Sequence, residues 1–434
     1  MMDELDNIPW HQLTHAYGSA EDVPELLREL RTASPDLQGE DSPLWHLFGN
    51  IWHQGTVYEA TSYAVPFLIE AAVDPTTPDR AGILQLLTEI ANGSSYRAVH
   101  GNLQQEQDFT EKRAQESDWA ARARHAVVAG YEKFVAITSE PGDVRYAAAN
   151  LLARLPVRKE ATSQILRTML ATETRDTYRA GLLLLLGVTG DSSEETRDVL
   201  LAALDAENEN ERHAAAFAIG HLKVTALPPK AFQVMMDAVV ENHLEESLEG
   251  ELPWQLDDEI FVEDLFAKLS PGNQKQVVMR LIAALEAGRR KETEVGRLVM
   301  LAFPLVSNVD NKVTVGSASR LQMRAIRALY NAMKGGKRIF SGHFPSWGLP
   351  DSMRDWRALA SGRDPTPPDE CQPVIASEHA PGISISPADL YVGQRILSRY
   401  FGAGTVLQLE PEEDFIEVTV DFDEEGITHL GLAR

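Results

Sequence analysis

Four residues near the start of the chain pair ring types that can recognise a partner. Trp45 and Trp52 are seven residues apart, and so are His46 and His53. Apolar spacing predicts a helix over 42–53, and seven residues is two helical turns, about 10 Å of rise. The two imidazoles would share a face but could not bridge one metal ion. Trp45, Trp52 and His53 therefore read as candidates for a protein-binding aromatic and imidazole face, or as an ordinary packed face. A second cluster, 334–347, interleaves Lys334, Lys337 and Arg338 with Phe340, Phe344 and Trp347 beside the Gly335-Gly336 pair. Basic and aromatic residues in that mixture can track a phosphate backbone and stack on bases. This makes Lys334, Lys337, Arg338 and Trp347 candidates for an alternative, nucleic-acid-binding role.

Other chemistries lack their residues. There is no His-Glu dipeptide, hence no His-Glu-x-x-His zinc motif, and there is no Gly-x-Ser-x-Gly nucleophile turn. The acidic run 241–264 carries ten carboxylates and no Lys or Arg, but Leu252-Pro253-Trp254 interrupts it and the spacing of a calcium loop is missing. Cys371 is the only cysteine and stands beside Asp369 and Glu370, which argues against a lowered thiol pKa. The expectation is a protein without catalytic residues, metal or cofactor.

The elements that would hold these residues follow from an internal repeat. Residues 143–153, 177–187 and 210–220 align as an arginine, small residues, an apolar stretch and a closing small residue. The arginines Arg145, Arg179 and Arg212 are spaced 34 and 33, and so are the closing residues Ala153, Gly187 and Gly220. Two markers keeping one period point to stacked helix pairs. Asp143, Asp176 and Asn210 are placed to cap the first helix of each unit. Second helices are expected at 161–170, 193–203 and 230–240. Further helices are expected at 22–30, 60–72 (with Pro66 kinking it or delaying its start), 80–91, 118–137, 271–287, 292–306 and 319–333. The polar stretch 92–117 reads as a loop insertion.

These three segments resemble HEAT repeats of the short bacterial type, and 9–30 with 44–68 look like the opening repeats of such a protein. The resemblance implies a mainly α fold, a right-handed α-α superhelix of the HEAT/armadillo kind over 1–360.

The rest of the chain differs. Residues 364–387 hold six prolines, so 361–387 reads as a linker. Over 388–434 the apolar residues alternate in short runs, near 395–398, 404–409, 415–422 and 428–432, with turn residues between them. Val392-Gly393, Phe401-Gly402-x-Gly404-Thr405-Val406-Leu407, Val418-x-Val420-x-Phe422, Gly426 and Leu430 resemble the C-terminal Tudor-like domain of bacterial superfamily 1 repair helicases. The resemblance implies a small SH3-like barrel that contacts protein, and Tyr391, Tyr400, Phe401 and His429 are its contact candidates. In those helicases basic residues are common where this chain has Tyr400 and His429.

Charge bears on partners. The formal charge is 40 − 65 = −25, which disfavours a general nucleic-acid binder. It is uneven: the acidic run contributes −10, residues 389–434 contribute 3 − 10 = −7, and 320–363 contribute 9 − 2 = +7. No basic, apolar leader is visible over 1–10, and no apolar run approaches the ~18 residues that cross a bilayer. A cytoplasmic interaction scaffold with a protein partner is the resulting expectation; nucleic acid is the alternative.

Overall fold

The computed structural model describes residues 2–34, 37, 39–100, 109–222, 227–241, 248, 251–254, 269–288, 292–303, 312–334, 344–350, 352–364, 395–398, 402–411, 415–422 and 426–433. The chain forms two compact units, Met1–Phe261 and Val262–Arg434. Seventeen α-helices lie among the described residues. The expected mainly helical class with packed helix pairs is what the chain adopts.

The first unit begins with short 3-10 turns and two tiny hairpins, β1 (Thr14–His15) with β2 (Gly18–Ser19) and β3 (Trp52–His53) with β4 (Thr56–Val57). Around them lie α1 (Val23–Glu29), α2 (Pro43–Asn50), α3 (Thr61–Val73), α4 (Arg80–Asn92) and α5 (Tyr96–His100). The array continues with α6 (Phe109–Ala129), α7 (Tyr131–Ile137), α8 (Val144–Arg154), α9 (Lys159–Thr172), α10 (Asp176–Val188), α11 (Glu194–Ala203), α12 (Glu209–His221) and α13 (Pro229–Glu241). The first helices of the three repeats form a row in which α10 packs on both α8 and α12. The second helices α9, α11 and α13 pack on the first helices beside them.

The repeated small residues explain how closely this row packs. A methyl group at Gly187 of α10 would sit 2.7 Å from the carbonyl oxygen and 2.8 Å from Cβ of Ala218 on α12. Only glycine permits that backbone approach. The partner of Gly187 is thus Ala218 and not another closing glycine. Leu182, Leu183, Leu186, Ala214 and Ala215 are buried on the two helices.

The repeated arginine has an equally physical role. Arg179 Nη1 donates to the carbonyls of Leu170 and Glu173 at the end of α9, and Arg212 Nη1 donates to those of Ala206 and Glu207 just after α11. Arg212 thereby satisfies carbonyls of the turn between α11 and α12, while Arg179 satisfies carbonyls that a helix end leaves unpaired, where the helix dipole also favours positive charge. Arg80 does the same at Ala72 in α3, and Arg124 at Ala91 and Gly93 at the end of α4. The device therefore extends beyond the three aligned segments, although Arg145 departs from it and turns to Tyr146 and Glu173.

The capping expectation needs correction. Asp143 stands at the N-cap of α8 without capping it by its side chain, Asp176 is already inside α10, and the cap of α12 is Asn208 rather than Asn210. Asp143 and Asp176 are instead bound by the next repeat, Arg175 reaching Asp143 at 3.2 Å and Asn208 reaching Asp176 at 2.8 Å.

Three further expectations change in the first unit. The predicted helix 42–53 stops at Asn50, because Gln54 and Gly55 both take positive φ (48° and 85°) and turn the chain back as a two-residue hairpin. The predicted helix 118–137 divides at Gly130, where a methyl would meet Phe134 Cζ at 2.6 Å and Ile69 Cδ1 at 2.9 Å. Its first half also starts earlier, at Phe109, so that together with α5 much of 92–117 is helical. Helix α3 runs from Thr61 through Pro66 without a delayed start.

In the second unit, α14 (Pro271–Glu286), α15 (Glu292–Ala302) and α16 (Arg320–Met333) pack together, and α17 (Met353–Ala360) packs on α16. A capping box at Ser319 and Gln322 starts α16, and Arg327 donates to the carbonyl of Ala360 at the end of α17. Four strands, β5 (Arg395–Ser398), β6 (Gly402–Pro411), β7 (Phe415–Phe422) and β8 (Gly426–Ala433), pair antiparallel in that order. A bulge interrupts β6 between Val406 and Gln408. The four alternating runs of the sequence thus become strands, each within a few residues of its expected bounds.

Candidate functional site

Tyr17 is the most exposed of the large apolar and aromatic residues described, at 69%. It is nevertheless held from below. His15 Nδ1 accepts the Tyr17 backbone N–H at 3.0 Å, so Nε2 carries the ring proton and donates to Asp22 Oδ1 at 3.0 Å. Asn50 at the end of α2 donates its side-chain amide to Asp22 Oδ2 (2.5 Å) and accepts the Ala16 N–H on its carbonyl (2.9 Å). The β1–β2 turn is thereby tied to α1 and α2. The Tyr17 ring lies over Gly49, where a methyl would come within 3.8 Å of Cε2, and meets the His53 ring edge-on at 5.6 Å.

His53 reaches that position through the second hairpin. Thr56 Oγ1 donates to the His53 carbonyl at 2.7 Å and shares a 2.8 Å hydrogen bond with the Tyr58 hydroxyl. Ser94 bridges the same hairpin, accepting the Val57 N–H on its carbonyl and donating its own N–H to Gly55. That bridge brings α5 and Tyr96 alongside. Tyr58 titrates above its ordinary value: burial is the main cause, partly offset by Thr56, with Tyr96, Tyr17 and Glu116 adding repulsion toward the phenolate. Glu116 is itself buried and neutralised by Arg97, which binds it through its guanidinium and its backbone N–H.

Trp45 stands 50% exposed on α2, one helical turn before Gly49, with its ring edge-on to His46 at 5.1 Å. Trp52 does not join it. It is half-buried against Phe48 at 5.9 Å, and its Nε1 is buried with no hydrogen-bond partner. Trp45 thus stands one turn from the Gly49 that Tyr17 overlies, and His53 is in ring contact with Tyr17, whereas Trp52 belongs to the packing beneath. Helix α5, which carries Tyr96, packs on β4 of the hairpin that holds His53. Tyr17, Tyr58 and Tyr96 carry no sequence period. The one local signal was the Gln-Gly pair between short β-prone stretches.

The other candidates are placed less completely. Tyr391, Tyr400 and Phe401 lie outside the described residues. His429 is on β8 opposite Thr419 of β7. Lys334 is exposed at the C-cap of α16 and Trp347 is half-buried in a 3-10 turn, Phe344–Trp347. Lys337 and Arg338 lie outside the described residues.

A second polar cluster joins the repeats. Arg175 lies 3.4 Å from the ring centroid of Tyr178, which meets Tyr146 edge-on at 4.6 Å. The Glu173 carboxylate, with 4% of its side chain exposed, accepts from the Tyr146 hydroxyl and from the backbone N–H groups of Thr174 and Arg175. Burial pushes its pKa up, but the hydrogen bonds from Arg175 and the backbone outweigh it, so the group sits below its ordinary value. Such a carboxylate is held ionised by its own neighbours and serves packing rather than proton transfer.

His15–Asp22–Asn50 superficially resembles a catalytic hydrogen-bonded chain. Both His15 ring nitrogens are occupied, by the Tyr17 N–H and by Asp22, so neither can take a substrate proton without breaking the turn. No group of three or more His, Cys, Asp or Glu residues poised for a metal occurs among the described residues. No helix among them is long and apolar enough to cross a membrane. No protein-family model matches the chain, and a search of curated proteins returns no match.

Proposed function

We propose that this protein is a non-catalytic interaction scaffold that binds a protein partner through the aromatic face around Tyr17, Trp45, His53 and Tyr96. One observation carries the reading. Of the nine large apolar or aromatic side chains exposed among the described residues, six (Tyr17, Leu37, Trp45, Tyr63, Tyr96 and Val99) lie within the first hundred positions, including every exposed aromatic. Aromatic side chains left in water on a rigid framework are the usual anchors of protein interfaces. The packed helix pairs support a HEAT-like α-solenoid as that framework. The β5–β8 meander supports a small SH3/Tudor-like barrel as a second contact, with His429 on its last strand. A cytoplasmic setting accords with the reading.

The test is affinity capture from a cell lysate with the full-length chain, repeated with Tyr17→Ala/Trp45→Ala and with His429→Ala. The reading expects the double variant to lose a specific protein, and His429→Ala to lower its recovery. An unchanged capture profile with the double variant rules the aromatic face out.

A further inference from the structure

The chemistry of the partner can be taken one step further, resting on the interaction reading above. Inside the array, tyrosine rings are stacked by the chain's own arginines: Arg158 over Tyr131 at 4.8 Å, Arg145 over Tyr146 at 4.6 Å and Arg175 over Tyr178 at 3.4 Å. Among the described residues no arginine or lysine stacks over Tyr17 or Trp45. Tyr17 is 69% and Trp45 50% exposed, so each ring keeps open surface in water, and an electron-rich ring face attracts a cation.

The charge around those rings has the matching sign. Residues 1–63 hold 11 Asp and Glu against 2 Arg, a balance of 2 − 11 = −9, whereas the 434-residue chain carries −25. One seventh of the chain thus carries over a third of the net charge. Both arginines are already taken, Arg28 by Asp6 and Glu25 and Arg31 by Asp74. The acids also lie on the elements that carry the rings. Glu21 and Asp22 follow β2 directly, and Glu59 accepts from Thr14 of β1 at 3.2 Å. The nearby cation Arg97 is cancelled by Glu116.

We propose that this face takes an extended cationic segment of a partner protein, with Arg or Lys heads stacked on Trp45 and Tyr17 and steered by the surrounding carboxylates. Aromatic faces fix where the cation sits, and the acidic field raises the encounter rate. A neutral apolar peptide would satisfy the rings but not the field.

Isothermal titration of the full-length chain with three synthetic peptides of equal length tests this: one rich in Arg, one rich in Glu, and one neutral and apolar. The Arg-rich peptide is expected to bind, and to weaken as salt screens the carboxylates. Trp45→Ala and Tyr17→Ala should each weaken it by about tenfold, the loss of one stacked cation. Trp45→Phe, which keeps a ring face, should retain part of the affinity. Both side chains are at least half exposed, so thermal melts of the variants should stay close to the parent and separate lost binding from lost folding. Absence of binding by the Arg-rich peptide overturns the proposal. So does binding that Trp45→Ala and Tyr17→Ala leave unchanged, because the cation would then sit elsewhere, as on the 241–264 acids. Binding of the neutral peptide alone, lost with Trp45→Ala, overturns the cationic partner and leaves the scaffold reading standing.

Discussion

Replacing Gly187 by alanine tests whether the tight α10–α12 contact is what joins the repeats. In an isolated helix the change should stabilise by about 1 kcal/mol, because alanine is the better helix former. In this protein the new methyl lies 2.7 Å from the Ala218 carbonyl oxygen and 2.8 Å from its Cβ, with the Ala218 Cα also in its way. Restoring a van der Waals separation of ~3.5 Å to that oxygen alone requires the helices to part by about 0.8 Å, and the nearer Ala218 Cα demands more. A gap of that size forfeits a quarter to a half of the dispersion energy of the contacts along the seam. Overpacking of this kind costs about 1–3 kcal/mol, and the upper end applies because the obstructing atoms are backbone and cannot rotate away. The net expectation is a loss of about 2 kcal/mol, or roughly 4–8 °C in melting temperature for a unit of this size.

Gly181, on the same helix, provides the control. A methyl there would sit 3.1 Å from Leu252 Cδ2 and Trp254 Cη2, which are ends of side chains that can shift. Gly181→Ala should therefore fall within about 1 kcal/mol of the parent. Circular dichroism melts of the parent, both single variants and Gly187→Ala/Ala218→Gly provide the comparison. The double variant removes the Cβ collision but not the carbonyl or Cα collisions, so it should recover little. If Gly187→Ala is as stable as the parent, or Ala218→Gly restores it fully, backbone contact is not the seam.

Three other outcomes are expected. Arg179 pairs with Glu211 through Nε at 2.8 Å and Nη2 at 3.1 Å and also caps α9, so Arg179→Met should cost about 2–4 kcal/mol by denaturant titration and strand the buried Glu211. A double-mutant cycle with Glu211→Gln should show coupling of about 1 kcal/mol or more, and strict additivity would refute the pairing. Glu173 and Glu140 both titrate below their ordinary value of 4.5, Glu173 by hydrogen bonds that overcome burial and Glu140 chiefly through its hydrogen bonds from Arg80. Because the folded values are lowered, the stability they contribute is complete above about pH 5 and is lost as pH falls through those values. Melting temperature should drop on acidification, and Glu173→Gln should flatten the drop while lowering stability at neutral pH; an unaltered pH profile would count against it. Asp22→Ala should free both His15 and Asn50, cost about 1–3 kcal/mol, and weaken partner binding beyond that of an unrelated variant of equal stability.

Much of the array was legible because its signals are local. The period of 33–34 located α8, α10 and α12, and turn residues around alternating stretches located β5–β8. Leu252 and Trp254, noticed only as interrupting an acidic run, turn out to be buried where they cover Gly181. Boundaries failed where tertiary contacts override helical spacing. At Gly130, where the predicted helix divides, Ile69, 61 positions earlier, and Phe134 fill the space a side chain would need. Glu116 lies in a helix that a polar, loop-like composition concealed, and its burial depends on Arg97 in α5.

The candidate face was legible only in part. The residue types of Trp45 and His53 mark them, but the two do not share a helix: Trp45 is on α2 and His53 on β3. His53 meets Tyr17 across 36 positions of chain, through two hairpins and the His15–Asp22–Asn50 tie. The sequence by itself determined the repeat period and where most of the helices lie, because those depend on neighbours within one or two turns. Only the tertiary structure decided which aromatic rings stay in water and which, like Trp52, are drawn inward. Exposure is a property of what packs above a residue, and no local spacing encodes that.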